Sequence, residues 1–326
     1  MKAFVTGGTG FLGISLISQL LERGWEVIAM HRKGSNLRDL SKFNVHCVEA
    51  DMASKDSLRA VIPNNIDAIF HVAGDTNMWR KNNDRQFQTN VESTQNLVDV
   101  ALEKQVGRFI HTSSIAAYGF HDDVVDEQTP SRALQSEVNY LRTKFLGEQL
   151  VKKAVEEKHL DAVVLNPCAI IGPFDRTSWA QLFIMVNQDE LPGVPPGEGS
   201  YCHVREVAAA HIAAYEKGQT GHNYILAGVD CAFVDVVSKI GKLLNKPVPS
   251  KPVPAFALKA LGRVSYWLSL ISNKEPNMTP EKALMVTKRV IASSAKASSE
   301  LGYNDNVSID EMLADSYKWL KSEQLV

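Results

Sequence analysis

The stretch "FVTGGTGFLG" sets Gly7, Gly10 and Gly13 at GxxGxxG spacing between a strand-like run and a helical segment, "FLGISLISQLLERG", that closes on Gly24. No other feature constrains the fold as strongly. Glycine permits the tight turn, lets a pyrophosphate approach the backbone and allows close helix packing; the helix N-terminus adds free N–H groups and positive potential. A glycine triplet by itself says little, but its place after a strand and before a helix is the confirming context. The reading is a dinucleotide site; the alternative is a fold that has kept the turn and lost its ligand.

The next 160 or so residues extend this pattern. Short apolar runs ("KAFVT", "EVIAM", "VHCVEA", "DAIFHVA", "RFIHTSS", "AVVLN") alternate with longer helical segments such as "FQTNVESTQNLVDVALEK". Parallel strands need crossover connections, so the alternation predicts an α/β fold: a Rossmann-type, doubly wound parallel sheet with helices on both faces. The dinucleotide-binding domain is expected over residues 1–167. After that, "NPCAIIGPFDRTS" and "DELPGVPPGEGSY" are rich in Pro and Gly, and 168–326 reads mainly as a smaller C-terminal substrate-binding lobe. A segment at about 204–228, including "HNYILAG", is expected to return to the main sheet. A lobe over the carboxyl edge of such a sheet makes a cleft.

Bulk properties narrow the function classes. With a net charge of −2 over 326 residues, nucleic acid and an anionic membrane are poor main partners. Cys47, Cys168, Cys202 and Cys231 form no CxxC pair, which argues against zinc and a disulfide framework and fits a reducing cytoplasm. The start "MKAFVTGG" leaves no room for a signal-peptide core, and "AFALKALGRVSYWLSLIS" (255–272), interrupted by Lys259 and Arg263, falls short of a bilayer span. That segment is expected to be an amphipathic helix packed on the protein or bordering a pocket, with a membrane-surface helix as the rival.

NAD-binding versions of this fold place an acidic residue after the second strand to hold the ribose 2′-hydroxyl. Here the sequence is "MHRKGSN", and Arg32 and Lys33 could instead pair with the 2′-phosphate of NADP. Asp51, in "VEADM", is a candidate acceptor for the adenine amino group, or else a turn aspartate.

Two YxxxK pairs occur, Tyr140/Lys144 in "YLRTK" and Tyr317/Lys321 in "YKWLK". A four-residue step puts each pair on one helix face, so spacing cannot choose between them. Context can: "RFIHTSSIAAYG" runs out of a strand at Ser114, on the cofactor edge of the sheet, upstream of the first pair. His71 and His111 lie inside strand patterns and read as satisfied core histidines; these two and His203 are given no role. Trp79, in "MWRKNND", lies on a loop after the fourth strand, as a pocket wall or a cover for the sheet edge.

Taken together, "TGGTGFLG", "ADM", "FHVAG", "TNVESTQNLV", "HTSSIAAYG", "YLRTK", "NPCAIIGP" and "HVREVAAAH" resemble an extended short-chain dehydrogenase/reductase of the epimerase/dehydratase superfamily. The resemblance implies a catalytic set of Ser114, Tyr140 and Lys144. Tyr140 would be general acid or base, its pKa lowered by Lys144 and the nicotinamide charge, Lys144 would also hold the nicotinamide ribose, and Ser114 would bind the substrate oxygen. It also implies cofactor contacts from Phe11, Leu12, Met52, Ala73 and Pro167 beside the glycines, and no metal. Ile115 and Ala116 stand where dehydratases of the family carry an acidic pair, and "GEGSYCHV" lacks the arginine common in sugar-nucleotide enzymes. "NPCAIIGPF" and "HRKGSN" resemble the dihydroflavonol-reductase-like branch, which implies NADP(H)-dependent reduction of a small-molecule ketone or aldehyde. A nucleotide-sugar epimerase and a non-catalytic NADP sensor are the alternatives. Arg205 is either a substrate contact or a surface arginine paired with Glu206, and helices near 84–105 and 137–158 are where a homodimer would form.

Overall fold

A computed structural model describes residues 1–304 and 306–326. β1 (Lys2–Thr6), α1 (Phe11–Glu22), β2 (Glu26–His31), β3 (His46–Glu49), α2 (Lys55–Val61) and β4 (Ala68–His71) follow in order. Then come α3 (Asn83–Phe87), one π turn at Gln88–Glu92, α4 (Ser93–Glu103), β5 (Arg108–Thr112), α5 (Asn139–Lys158) and β6 (Ala162–Pro167). The expected strands all form. The helix expected from Phe87 onward does not run evenly, because the π turn interrupts it where Asn90 bonds the loop after β4.

The remaining elements are β7 (Ala169–Ile171), α6 (Ala180–Asn187), β8 (Glu198–His203), α7 (Val204–Lys217), β9 (Asn223–Leu226), β10 (Val229–Ala232), α8 (Phe233–Leu244), α9 (Ala255–Ser272), α10 (Pro280–Val286), β11 (Arg289–Val290), α11 (Ala295–Leu301) and α12 (Ile309–Ser322). The main sheet is parallel throughout, in the order β3-β2-β1-β4-β5-β6-β9. A second, small sheet joins β7, β8, β10 and β11.

The period-2 alternation of a strand sorts the main sheet's side chains onto two cores. Ala3, Val5, Phe70 and Ile110 face one, packed with Leu16, Leu20, Val207 and Ala214 from α1 and α7. Phe4, Ile69 and Phe109 face the other, with Leu58, Leu97 and Val151 from α2, α4 and α5. Both faces are covered, which is why the strands read as continuous apolar runs. At about 1.5–3 kcal/mol for each fully buried large side chain, these layers hold the sheet's carboxyl edge rigid. The strand order reverses between β1 and β4, and a crevice at such a switch point is where open α/β sheets take ligands.

Candidate functional site

The glycine turn lies at that switch point. Gly7 has φ +70°, and a Cβ there would stand 2.7 Å from the backbone nitrogen of Ala73, just past β4. A Cβ on Gly13 would stand 2.1 Å from the Gly7 carbonyl oxygen. The turn is therefore closed to side chains on its inner side. Gly10, the N-cap of α1, is exposed, carries no capping side chain, and no acidic residue follows in the first turn. The orphan N–H groups of α1 remain for an anion. The residues present thus fit a dinucleotide pyrophosphate.

The other expected contacts gather on the same edge. Phe11 and Leu12 open α1, Ala73 follows β4 with its N–H donating to Thr6 Oγ1 (3.2 Å), and Pro167 ends β6. Leu12 and Met52 turn their side chains into the core, leaving backbone and edges to the crevice. Arg32 and Lys33 are exposed beyond β2, and among the described residues neither has an ion pair. Asp51 is exposed and accepts from the Ala53 N–H at 2.9 Å, so the turn role expected of it is present.

Ser114 leaves β5 in extended conformation; its hydroxyl accepts from the Ala116 N–H at 3.1 Å and lies near enough to the Tyr140 phenol to oppose the rise of its pKa. Lys144, one turn along α5, is buried and donates from Nζ to the Thr112 carbonyl at 2.7 Å. The three side chains are thus held by one strand end and one helix. Burial lowers the Lys144 pKa to about 8, against the opposing pull of Glu148. Tyr140 departs from expectation: burial pushes its phenol above the ordinary value, with Ser114 opposing and Asp75 adding to the rise. The expected depression by Lys144 is not found here, where the ammonium is turned to the Thr112 carbonyl.

Sequence reasoning missed Glu148. It is 4 % exposed, two four-residue steps beyond Tyr140 on α5. Its Oε2 accepts from Ser113 Oγ (2.7 Å) and Asn166 Nδ2 (2.8 Å), and its Oε1 accepts from Asn223 Nδ2 (2.8 Å) and lies 3.2 Å from Lys152 Nζ. Asn166 also donates to the Ser114 carbonyl at 3.1 Å. One carboxylate therefore ties α5 to the ends of β5, β6 and β9 directly behind the candidate set. The run Tyr140, Lys144, Glu148, Lys152 was the available signal.

The second pair, Tyr317 and Lys321, lies in α12, where the ammonium sits 5.9 Å from the ring centroid. His71 is satisfied by Thr6 (2.8 Å) and Thr94 (3.0 Å) and burial brings its pKa down to about 3. His111 differs from expectation, since its ring nitrogens have no hydrogen-bond partner among the described residues. His203 caps α7, accepting from the Arg205 N–H at 3.0 Å. Arg205 is the surface arginine, paired with Glu206 and Glu311.

The loop after β4 is clamped to the C-terminal part of the chain. Trp79 Nε1 donates to Ser269 Oγ (3.3 Å), Thr279 Oγ1 donates to the Met78 carbonyl (2.6 Å), and Arg80 pairs with Glu281. A cavity of about 510 Å³ lies beside it, lined by Arg80, Glu137, Tyr266, Trp267 and Leu284 among others. Leu284 also packs in the cluster that holds Tyr140, Val138 and Leu141. The cavity adjoins the candidate set.

Comparison with known proteins agrees with this architecture. The chain is 28% identical to the putative dihydroflavonol 4-reductase of Synechocystis sp., across 99% of this chain and 95% of that protein. It is 30% identical to cinnamoyl-CoA reductase 1 of Petunia hybrida, across 77% and 78% of the two chains. The crystal structure of gox2253 superposes with a TM-score of 0.86 at 30% identity, covering 99% of each chain. The sequence pattern of the NAD dependent epimerase/dehydratase family matches residues 3–227. The chain belongs to that family, among the extended short-chain dehydrogenases/reductases, and its sheet and glycine turn are the fold such proteins use.

Proposed function

We propose that the protein is an NADPH-dependent reductase of a small-molecule ketone or aldehyde. The observation that carries this reading is the meeting of Ser114, at the end of β5, with Tyr140 and the buried Lys144 one helical turn along α5. A dinucleotide bound with its pyrophosphate at the glycine turn would supply the hydride from its nicotinamide. Ser114 Oγ, at the strand end, orients the carbonyl oxygen, and Tyr140 gives its proton to the oxygen as negative charge develops there. A phenol raised by burial holds its proton through neutral pH, as a general acid must. Lys144, mostly protonated at neutral pH with its pKa at about 8, holds the ribose.

Ile115 and Ala116, both buried, leave no acid–base pair after Ser114 for an elimination. Arg32 and Lys33, exposed and unpaired among the described residues beyond β2, support NADP over NAD. We assign residues 1–167 with the 204–228 return to cofactor binding and most of 168–326 to the substrate. The test is NADPH oxidation over a chemically varied panel of aldehydes and ketones, with wild type and Tyr140→Phe side by side. The reading expects consumption that the variant loses almost entirely while still binding NADPH. Equal rates in the two proteins would overturn it. Silence across the panel, with sugar nucleotides bound and a dinucleotide retained through purification, would favour epimerisation instead.

A further inference from the structure

The helix α9 is inside out. Its buried residues are Leu258, Gly262 and Ser269, and its inner side is held through polar bonds, Trp79 Nε1 to Ser269 Oγ among them. Its apolar residues point away from the protein: Phe256 is 76% exposed, Trp267 68%, Leu268 61% and Ile271 88%, with Val264 and Leu261 beside them. Of the eleven large hydrophobic residues exposed among the described residues, seven lie on this one helix. At 100° per residue, Phe256, Val264, Trp267 and Ile271 fall within one quadrant, flanked on one side by Leu268 and on the other by Arg263 and Lys259. Of the two places expected for this helix, it takes the border of a pocket, where Lys259, Arg263, Tyr266 and Trp267 line the cavity, while its apolar quadrant does not pack on the protein. Its inner side offers Leu258, Gly262 and Ser269, the last held from the loop after β4 by the Trp79 hydrogen bond.

We infer that α9 rests on an anionic lipid surface, with its apolar quadrant in the headgroup–acyl boundary and Lys259 and Arg263 at the phosphates. This is independent of the reaction proposed above. Charge decides between lipid and protein. The helix carries two basic residues and no acidic one. Of the nearby carboxylates, Glu275 accepts from Lys282 and Asn77, Glu281 pairs with Arg80, and Glu137 shares the lining of the cavity with Lys259 and Arg263. A second copy meeting this face would match the apolar quadrant but set only further basic side chains against Lys259 and Arg263, whereas phosphates meet both. Trp267 at the centre suits an interface that is apolar on one side and wet on the other. Among the described residues no helix is long and apolar enough to cross a membrane.

The experiment is co-sedimentation of the full chain with vesicles of phosphatidylcholine containing a third phosphatidylglycerol, against pure phosphatidylcholine vesicles. The Leu268→Ser/Ile271→Ser double variant is run beside wild type, with light scattering to fix the mass of each protein in solution. Both positions are exposed, so folding is expected to be unaffected, and circular dichroism checks it. The inference expects wild type on the anionic vesicles, at least about tenfold weaker binding in the double variant from the lost apolar contact, and release by salt as the phosphates are screened. Wild type remaining in solution, or equal binding by the variant, overturns it. A wild-type dimer that the substitutions dissociate also overturns it and makes the face a contact between copies.

Discussion

Glu148→Gln keeps the size and shape of the side chain and removes only its charge and one acceptor. In the native site Oε2 takes two donors, Ser113 and Asn166, while Oε1 takes Asn223 and faces Lys152. An amide oxygen can stay with Ser113 and Asn166. Its NH2 group then meets Asn223 Nδ2 and the Lys152 ammonium, all donors. Flipping Asn223 passes the conflict on, because Asn223 Nδ2 also donates to Asn166 Oδ1 at 2.8 Å. One buried donor is left unpaired, at about 1–3 kcal/mol. Urea unfolding should show a lower midpoint at unchanged slope, the mark of a stability change without a change in compactness. A second readout separates positioning from mere support. Glu148 favours the Lys144 cation, so its loss lowers the Lys144 pKa further, and the alkaline limb of the rate profile moves down from about 8. An unchanged midpoint together with an unmoved limb would refute the role assigned to Glu148.

Arg32→Ala should weaken NADPH binding by roughly ten- to hundredfold, the value of one charge-assisted phosphate bond, and leave NADH nearly untouched; equal losses measured by fluorescence titration would refute the cofactor choice. Gly13→Ala drives a methyl to 2.1 Å from the Gly7 carbonyl, where only backbone can move, so dinucleotide binding should fall more than about tenfold. Lys144→Met probes linkage. With its folded pKa below the ordinary lysine value, the unfolded chain binds more protons across the window from about 8 upward to that value, so this residue's contribution to stability rises with pH there. Urea midpoints of wild type and variant, compared at pH values spanning the window, should show a rise in wild type that the variant lacks.

The main sheet was legible because its signals are local. Strand alternation, crossover helices and the glycine turn each occupy a few consecutive residues, and a strand buried on both faces betrays itself as an apolar run. Ser114, Tyr140 and Lys144 were legible as candidates for the same reason, a strand end and a helix step. Glu148 was not, because a glutamate in a helix full of Lys and Glu reads as a solvated charge until Asn166 and Asn223, far away in sequence, are placed against it. His111 shows the limit from the other side: a strand pattern gives burial but not partners. For α9 the apolar stripe was visible and its direction was not, since direction depends on what the loop after β4 offers to the opposite side.

The raised phenol of Tyr140 and the lowered ammonium of Lys144 have one cause, withdrawal from water, yet opposite uses. Burial disfavours the charged form of each group: it keeps the proton on the tyrosine and loosens it on the lysine. A reduction asks the tyrosine to hold its proton until an alkoxide forms, so the first shift serves the chemistry directly. The second works against it, because an uncharged lysine would neither grip a ribose nor steady a phenolate. Glu148 resolves the conflict. It is the group that pulls the Lys144 pKa back up, and Ser113, Asn166 and Asn223 all donate to it. The carboxylate behind the site is therefore what allows a buried lysine to remain a cation in front of it.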